Sequence, residues 1–106
     1  MTALRVAVMG PVDGGVAGAI EQALARAFQL PVSRIDLPDP QFAYDRRRAQ
    51  YGSVPILQAL ASHRSPGGKL LGVTAHDLFI PMLTFVFGQA QVGGDVAVLS
   101  IARLRQ

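Results

Sequence analysis

The alternation of short β-rich runs with an amphipathic stretch constrains the fold of this chain more than any other feature. Residues 4–9 form an apolar run that ends at a Gly-Pro pair, which is typical of a strand buried on both faces. Asp13 then precedes a stretch whose apolar residues recur at spacings of three and four, which predicts a capped helix. A second β-rich run at Val32–Leu37 completes a β-α-β pattern. The apolar stripe of the helix comprises Ile20, Leu24, Ala27 and Phe28.

A second helix and a third strand follow a segment without periodicity. Residues 41–52 mix aromatic, charged and amide side chains, so we expect an ordered loop there. Ser53 is expected to be the N-cap of the second helix, which ends near His63. The β-rich run at residues 69–74 predicts the third strand. The buried stripe of this second helix comprises Ile56, Leu57 and Leu60.

The last third of the chain predicts a β-hairpin. Two β-rich runs, residues 83–89 and 96–104, are joined by turn residues at positions 92–95. The resulting order is β-α-β-α-β-β-β, with no linker, repeat or low-complexity tract. We therefore expect a single α/β domain over residues 1–106.

The predicted helices are too few for the predicted sheet. If the first strand lies between the second and third, right-handed crossovers place the two helices on opposite faces of the sheet. Two helices cannot cover both faces of five strands. The final strand is apolar on both sides, so we expect one of its sides to lack cover. Val96 and Val98 point to one side, and Ala97, Leu99 and Ile101 point to the other.

The composition excludes several classes of protein. There are no cysteines, which excludes disulfides, iron–sulfur clusters and cysteine zinc sites. No run approaches the roughly 20 apolar residues of a membrane span, and the first apolar run is too short for a signal peptide. We therefore expect a cytoplasmic protein with no membrane partner. The net charge is +3 and includes three consecutive arginines at 46–48, but the other basic residues are scattered, which disfavours a nucleic-acid partner.

Few residues form a pattern that points to chemistry. The turn at residues 10–15 lacks the Lys and the Ser or Thr of a phosphate loop, so we expect a tight turn followed by a helix cap. The two histidines, His63 and His76, are too few for a zinc site, which needs three or four ligands. We expect His76 and Asp77 to make polar contacts within a loop.

Residues 44–51 concentrate aromatic and charged side chains. We expect an arginine of this segment to pair with Asp45 or to reach backbone carbonyl groups, while Tyr44 and Tyr51 pack beneath it. A surface ion pair of this kind contributes less than about 1 kcal/mol. The segment on its own therefore predicts a solvated loop.

Four segments of this sequence resemble archaemetzincins, a family of metzincin zinc metallopeptidases, and they occur in the order and at the spacing of that family. Neither Asp-Leu-Phe-Ile-Pro nor Phe-Val-Phe-Gly-Gln-Ala follows from generic strand patterning, and the resemblance spans nearly all 106 residues. It implies the N-terminal subdomain of a metzincin: an α/β fold with a mixed, mostly parallel, twisted five-stranded sheet, one antiparallel edge strand and two helices. The four segments are residues 44–51, 72–81, 84–90 and 96–104.

The resemblance also implies a peptide-binding strand. In the family, the edge strand borders the active-site cleft, and its backbone pairs with an extended substrate. Family members often have Asn at the position of Thr84. The matching residues, which we predict to bind substrate, are Thr84, Phe85, Val86, Phe87, Gly88 and Gln89.

The zinc site of the family has no counterpart in this sequence. In the family, His-Glu-x-x-His-x-x-Gly-x-x-His follows the segment that matches residues 102–104, whereas this sequence stops at Gln106. Metal-assisted hydrolysis needs the zinc to acidify a water and to polarise the carbonyl. We therefore expect no catalytic residue, no metal ligand and no cofactor in these residues.

Two hypotheses of function follow from the resemblance. The first is a truncated, non-catalytic archaemetzincin-like domain that acts through protein contacts, including self-association as a dimer through the uncovered side of its sheet. The alternative is the N-terminal half of a zinc-dependent metallopeptidase. In that case a downstream segment or another chain supplies the zinc-binding helix and restores the enzyme.

Overall fold

The computed structural model describes residues 3–63, 65, 67–91 and 94–104. Helix α1 spans Gly14–Phe28 and helix α2 spans Ser53–Ala61. In these described ranges, no helix is long and apolar enough to cross a membrane. The same ranges form nine strands: β1 Ala3–Met9, β2 Val32–Leu37, β3 Tyr44–Asp45, β4 Gln50–Gly52, β5 Gly68–Thr74, β6 Leu78–Ile80, β7 Leu83–Val86, β8 Gly88–Ala90 and β9 Val96–Ser100.

The main sheet has five strands in the order β2-β1-β5-β9-β8. β1 pairs in parallel with β2 and β5, and β5 pairs in parallel with β9, whereas β8 is antiparallel to β9. The first strand therefore lies between the second and third predicted strands, which was the condition of the crossover argument, and a mostly parallel sheet with one antiparallel edge strand is confirmed. Residues 92 and 93 of the predicted hairpin turn lie outside the described residues.

Side chains alternate along β1, which gives the main sheet an apolar core on each face. Val6 and Val8 pack with residues of α1, and Ala7 and Met9 pack with residues of α2. The two helices thus lie on opposite faces of the sheet, as the crossover rule predicts.

Helix α1 begins where its sequence predicts but is buried over a shorter stretch. The carboxylate of Asp13 caps the helix by accepting a hydrogen bond from Gly15 N at 2.8 Å. Ile20 and Leu24 pack against the core as predicted. Ala27 and Phe28 are exposed instead, Phe28 by 58%. The buried stripe ends early because Phe28 lines an open groove rather than a closed core.

A second sheet has four strands in the order β3-β4-β6-β7. It corrects the prediction of a loop at residues 41–52, because these residues form a 3-10 turn at Gln41–Ala43 and the hairpin of β3 and β4. The carboxylate of Asp45 closes this hairpin by accepting hydrogen bonds from the amides of Arg47 and Arg48, at 2.9 and 3.1 Å. Apolar periodicity does not reveal bonding between a side chain and its own backbone.

Three further boundaries differ from the predictions. The last strand, predicted over residues 96–104, ends at Ser100. The predicted strand at residues 83–89 is split, because β7 pairs with β6 in the second sheet and only β8 pairs with β9. Helix α2 has Gly52 as its N-cap, so Ser53 is the first helical residue and not the cap. The buried hydroxyl of Ser53 needs a partner elsewhere. It donates to the side-chain oxygen of Gln89, and the carbonyl oxygen of Phe79 lies 3.3 Å away.

Candidate functional site

The predicted peptide-binding residues lie at the outer edges of both sheets. We name residues 84–89 the edge segment. It joins the last strand of the second sheet to the last strand of the main sheet. Its function in binding substrate stays a prediction. Thr84, Phe85 and Val86 belong to β7, Phe87 lies between the strands, and Gly88 and Gln89 belong to β8.

The backbone of β8 directs hydrogen-bonding groups away from the sheet. Phe87 O accepts a hydrogen bond from β9 at 2.8 Å, and Gln91 N donates one to β9 at 3.2 Å. Along an antiparallel ladder, residues bonded to the partner strand alternate with residues that face outward. Gly88 and Ala90 are therefore the outward residues, and both are exposed. Such an edge is a template for pairing with another chain.

Gly88 allows β8 to lie close to β9. A β-carbon at this position would come within 2.7 Å of the carbonyl oxygen of Val98. A side chain would therefore push the two strands apart at a residue whose own backbone groups face outward.

Buried polar side chains hold the edge segment from its inner side. The side-chain amide of Gln50, on β4, donates to Thr84 O at 2.7 Å and to the carboxylate of Asp77 at 2.8 Å. Ser53, at the start of α2, donates to the side chain of Gln89. The second sheet and α2 thus fix opposite ends of the same segment. Within the described residues, no buried side-chain nitrogen or oxygen lacks a hydrogen-bond partner.

Arg103 links the residues after β9 to the edge segment. Its guanidinium forms two bonds with the carboxylate of Asp77, at 2.8 and 2.9 Å, and lies 3.9 Å above the ring of Phe85. Phe85 contacts Phe87 edge to face, with ring centroids 5.2 Å apart. The hydrogen bond from Arg103, with a further one from Gln50, lowers the pKa of Asp77 against the effect of partial burial. Sequence reasoning missed this pair because its members are 26 residues apart.

His76 makes a polar contact, as predicted, but its partner is distant in the sequence. Its Nε2 lies 2.6 Å from the carboxylate of Asp39, and its ring stacks on Tyr51 with centroids 3.9 Å apart. Partial burial acts to raise the pKa of Asp39, but the hydrogen bonds that this carboxylate accepts, first from His76, outweigh burial and lower it. The contact fastens the loop after β2 to the loop after β5.

The described residues do not fit the zinc site of a peptidase. Within this part of the chain, no three His, Cys, Asp or Glu side chains converge to hold a metal ion. His63 is exposed beyond the end of α2, and His76 is engaged with Asp39. Because a catalytic zinc takes three protein ligands and a water, no step through zinc is assigned to these residues.

The contacts of the arginine-rich turn between β3 and β4 confirm part of what the sequence predicts for residues 44–51. Arg48 donates to Leu83 O at 3.0 Å and to Pro81 O at 3.2 Å, so an arginine reaches backbone carbonyl groups as expected. These bonds tie the hairpin to the start of β7. Tyr51 is buried. Tyr44 contacts it, with ring centroids 5.1 Å apart, but remains 44% exposed. Of the two tyrosines, only Tyr51 is therefore buried, and it packs against Tyr44 and His76.

The two sides of β9 are covered unequally. Val96 and Val98 are buried on the side of α2. Of the three residues predicted on the side of α1, Ala97 and Leu99 are half-buried, whereas Ile101 is buried. An open groove of about 210 Å³ lies on this second side, and we name it the α1-side groove. Three charged residues, Arg5, Lys69 and Asp95, also line it. Its apolar lining includes Leu4, Leu24, Phe28, Leu71, Ala90 and Ala97.

The sequence is related to archaemetzincins, although no family model matches it. The archaemetzincin of Methanopyrus kandleri is 43% identical over 65 residues, which are 61% of this chain and 37% of that protein. The archaemetzincin of Archaeoglobus fulgidus is 41% identical over 80 residues, which are 76% of this chain and 45% of that protein. The chain thus spans about two fifths of the length of these relatives.

Solved structures of an archaemetzincin and of a zinc-dependent peptidase share the fold. The crystal structure of A. fulgidus archaemetzincin complexed with malonate has a TM-score of 0.85 and 30% identity, and the match covers 100% of this chain and 64% of that one. A zinc-dependent peptidase from Methanocorpusculum labreanum has a TM-score of 0.85 and 28% identity, over 98% of this chain and 66% of that one. The resemblance read from the sequence is therefore confirmed: over the part that it spans, the chain is an archaemetzincin homologue in sequence and in fold.

Proposed function

Starting from this homology to archaemetzincins, we propose that the chain binds an extended peptide along the outer edge of β8 and does not hydrolyse it on its own. The observation that carries the proposal is the outward backbone of Gly88 and Ala90 at the end of a five-stranded sheet. An added strand would pair with these groups and continue the sheet. The edge segment would then act as the peptide-binding strand that the sequence predicts.

The surroundings of β8 suit a ligand with apolar side chains. Main-chain hydrogen bonds give affinity in this mode of binding, and pockets beside the edge give selectivity. On one face of the edge stands Phe87, which is 49% exposed. On the other face the α1-side groove extends to Ala90. We therefore expect a preference for apolar residues at the paired positions of the peptide.

Hydrolysis needs an activated water, which zinc supplies in metallopeptidases. The described part of the chain offers no set of three metal-binding side chains. Its best-placed carboxylates are already engaged, Asp39 by His76 and Asp77 by Arg103. We therefore expect these residues to bind peptide without turnover.

Fluorescence anisotropy with a labelled, extended valine–threonine peptide tests the proposal. Two derivatives carry the same number of backbone N-methyl groups, placed either on alternate residues or on consecutive central residues. Alternate methylation leaves one edge of the peptide free to pair, whereas consecutive methylation blocks both edges. We expect the first derivative to bind and the second to lose binding. Equal binding of the two would contradict pairing along β8.

A variant of the chain tests the same point from the protein side. Ala90→Pro removes an N–H that faces away from β9, and proline is tolerated on edge strands. Loss of one hydrogen bond worth about 1 kcal/mol weakens binding roughly fivefold. Ala90→Gly keeps the N–H and is the matched control. An unchanged affinity of a folded Ala90→Pro variant would count against the proposed edge.

A second candidate function is the peptide-binding half of a zinc-dependent metallopeptidase, completed by a further segment or by another chain. The α1-side groove favours it, because an apolar segment would bury this open surface next to β8. Mixing the chain with the zinc-binding portion of A. fulgidus archaemetzincin tests this candidate. Chelator-sensitive peptide cleavage by the mixture would support it, and failure of the two to associate would count against it.

A further inference from the structure

A second apolar groove lies on the outside of the four-stranded sheet, with no residue of β8 in its lining. It has a volume of about 480 Å³, and we name it the hairpin groove because β3 forms part of its wall. Three of its large apolar side chains are well exposed: Phe42 by 62%, Tyr44 by 44% and Val54 by 42%. The groove is lined mainly by Phe42, Tyr44, Val54, Pro55, Phe79 and Pro81.

The walls of the hairpin groove are held in place from behind. Tyr44 contacts the buried ring of Tyr51, with centroids 5.1 Å apart. The guanidinium of Arg48 lies 4.2 Å from the ring centre of Phe79 and donates to Pro81 O at 3.2 Å. Side chains that are already fixed lose little conformational freedom when a ligand binds. The groove is therefore prepared for recognition rather than formed by it.

Exposed apolar side chains continue beyond the hairpin groove. Pro81 lines it, and the next two residues, Met82 and Leu83, are 89% and 51% exposed. Contiguous apolar surface of this kind marks interaction sites in soluble proteins.

Two exposed arginines follow directly in the chain after a residue that lines the hairpin groove, and they line a separate, neighbouring hollow. Asp45 lines the groove, and Arg46 and Arg47 follow it with exposed side chains. The carboxylate of Asp45 is engaged by the backbone amides of Arg47 and Arg48. In the part of the chain that the structure describes, no acidic side chain forms an ion pair with Arg46 or Arg47. Two cationic groups are therefore available to a ligand.

We propose that the hairpin groove binds an extended segment of a partner protein in which proline or leucine residues lie next to carboxylates. The apolar side chains would fill the groove, and the carboxylates would reach Arg46 and Arg47 in the turn that follows β3. Charge complementarity selects an acidic segment and rejects a basic one. Single-stranded nucleic acid fits less well, because it needs a basic track for successive phosphates, whereas Val54 and two prolines line this groove.

Titration of the whole chain with four synthetic peptides, followed by NMR, tests the proposal. A proline–leucine core is flanked by glutamate, by serine or by lysine, and a fourth peptide has glutamate flanks and a serine core. We expect the first peptide to bind roughly tenfold more tightly than the lysine-flanked and serine-core peptides. Its binding should shift the amide signals of Phe42, Val54 and Phe79, and not those of Gly88 and Ala90. The result is then independent of peptide binding at β8.

Variants with matched controls locate the site. Phe42→Ser should weaken binding of the acidic peptide roughly tenfold, as loss of an aromatic anchor does. Reversal of both charges at Arg46 and Arg47 to glutamate should abolish the preference for acidic flanks. The controls are Leu104→Ser, at a leucine that is 58% exposed beyond β9, and Arg26→Glu on α1. Both controls should bind as the unaltered chain does.

Several results would overturn the proposal. They are equal affinity for acidic and basic peptides, signal shifts confined to other surfaces, and the same loss of binding in the controls. Tighter binding of oligothymidylate in the same groove would assign it to nucleic acid instead. A dimer that Phe42→Ser dissociates would assign it to a second copy of the chain.

Discussion

Gln50 holds the edge segment more directly than any other side chain, and its replacement tests how the segment is positioned. It is 8% exposed, and its amide nitrogen donates to Thr84 O at 2.7 Å and to the carboxylate of Asp77 at 2.8 Å. Gln50→Leu keeps a side chain of similar size but removes both hydrogen bonds. We expect the variant to loosen β7 and to lower the free energy of unfolding.

The magnitude follows from the two lost bonds. A neutral hydrogen bond contributes about 1 kcal/mol and a bond to a carboxylate about 1.5–3 kcal/mol. Part of the loss is offset, because Asp77 keeps its bonds from Arg103 and is 24% exposed to water. Burial of the leucine side chain offsets a further part. We expect a net loss of about 2 kcal/mol, which lowers the unfolding temperature of a chain of this size by roughly 8–16 °C.

Urea and thermal unfolding of the whole chain measure the effect. Gln22→Leu, at an exposed position on α1, is the matched control and should stay within about 0.5 kcal/mol of the unaltered chain. Peptide binding at β8, measured by anisotropy, should weaken in Gln50→Leu and not in the control. A Gln50→Leu variant as stable as the control would refute the role assigned to these two hydrogen bonds.

Gln50→Glu separates hydrogen bonding from packing, because it keeps the shape of the side chain. Burial and the nearby carboxylate of Asp77 raise the pKa of the introduced group above its unfolded value. A protonated carboxyl group has one O–H where the amide has two N–H groups, so one hydrogen bond is lost at every pH. The charge-dependent part of the destabilisation is absent below the unfolded pKa of about 4.3 and develops as the pH rises through the higher folded pKa. The difference from the unaltered chain should be smallest near about pH 4 and largest above about pH 7. A difference that does not change with pH would contradict a buried position for this side chain beside Asp77.

The remaining predictions concern acid, packing, metal and assembly. The lowered pKa values of Asp39 and Asp77 stabilise the fold above the unfolded carboxyl pKa of about 4, and this stability is lost as the pH falls through their folded values. The unfolding temperature should therefore drop in acid, and Asp39→Asn should reduce the drop. Gly88→Val should separate β8 from β9 and lower the free energy of unfolding by about 1–3 kcal/mol, measured in urea. Metal analysis of the untagged chain should find no stoichiometric zinc, and one tightly held zinc with chelator-sensitive proteolysis would contradict this. Sedimentation at micromolar concentration should show self-association through the α1-side groove and the edge of β8; a monomer that binds no hydrophobic dye would defeat the idea.

The main sheet could be predicted because its determinants are local in the sequence. Alternation places Val6 and Val8 opposite Ala7 and Met9, and with β1 between β2 and β5 the crossover rule puts the two helices on opposite faces. The exposed end of α1 at Phe28 was not predictable in this way. An apolar stripe shows which side of a helix is buried, but not how far the surface beneath it extends.

The second sheet could not be predicted, because it depends on contacts between residues that are distant in the sequence. The apolar run at residues 83–89 predicts one strand, yet β7 pairs with β6 and β8 pairs with β9. Strand propensity does not identify the partner of a strand. Asp77 and Arg103 likewise resemble ordinary surface charges until the fold brings them within 2.8 Å of each other.

The side chains that hold the edge segment all act from its inner side. Gln50 bonds to the backbone of Thr84, and Ser53 bonds to the side chain of Gln89. Because both ends of the segment are fixed in this way, the outward N–H and C=O groups of β8 have a set direction before any ligand arrives. A strand that is already ordered avoids the entropy cost of ordering on binding. The polar network behind the segment, more than the segment's own side chains, therefore determines how well this edge can pair with a peptide.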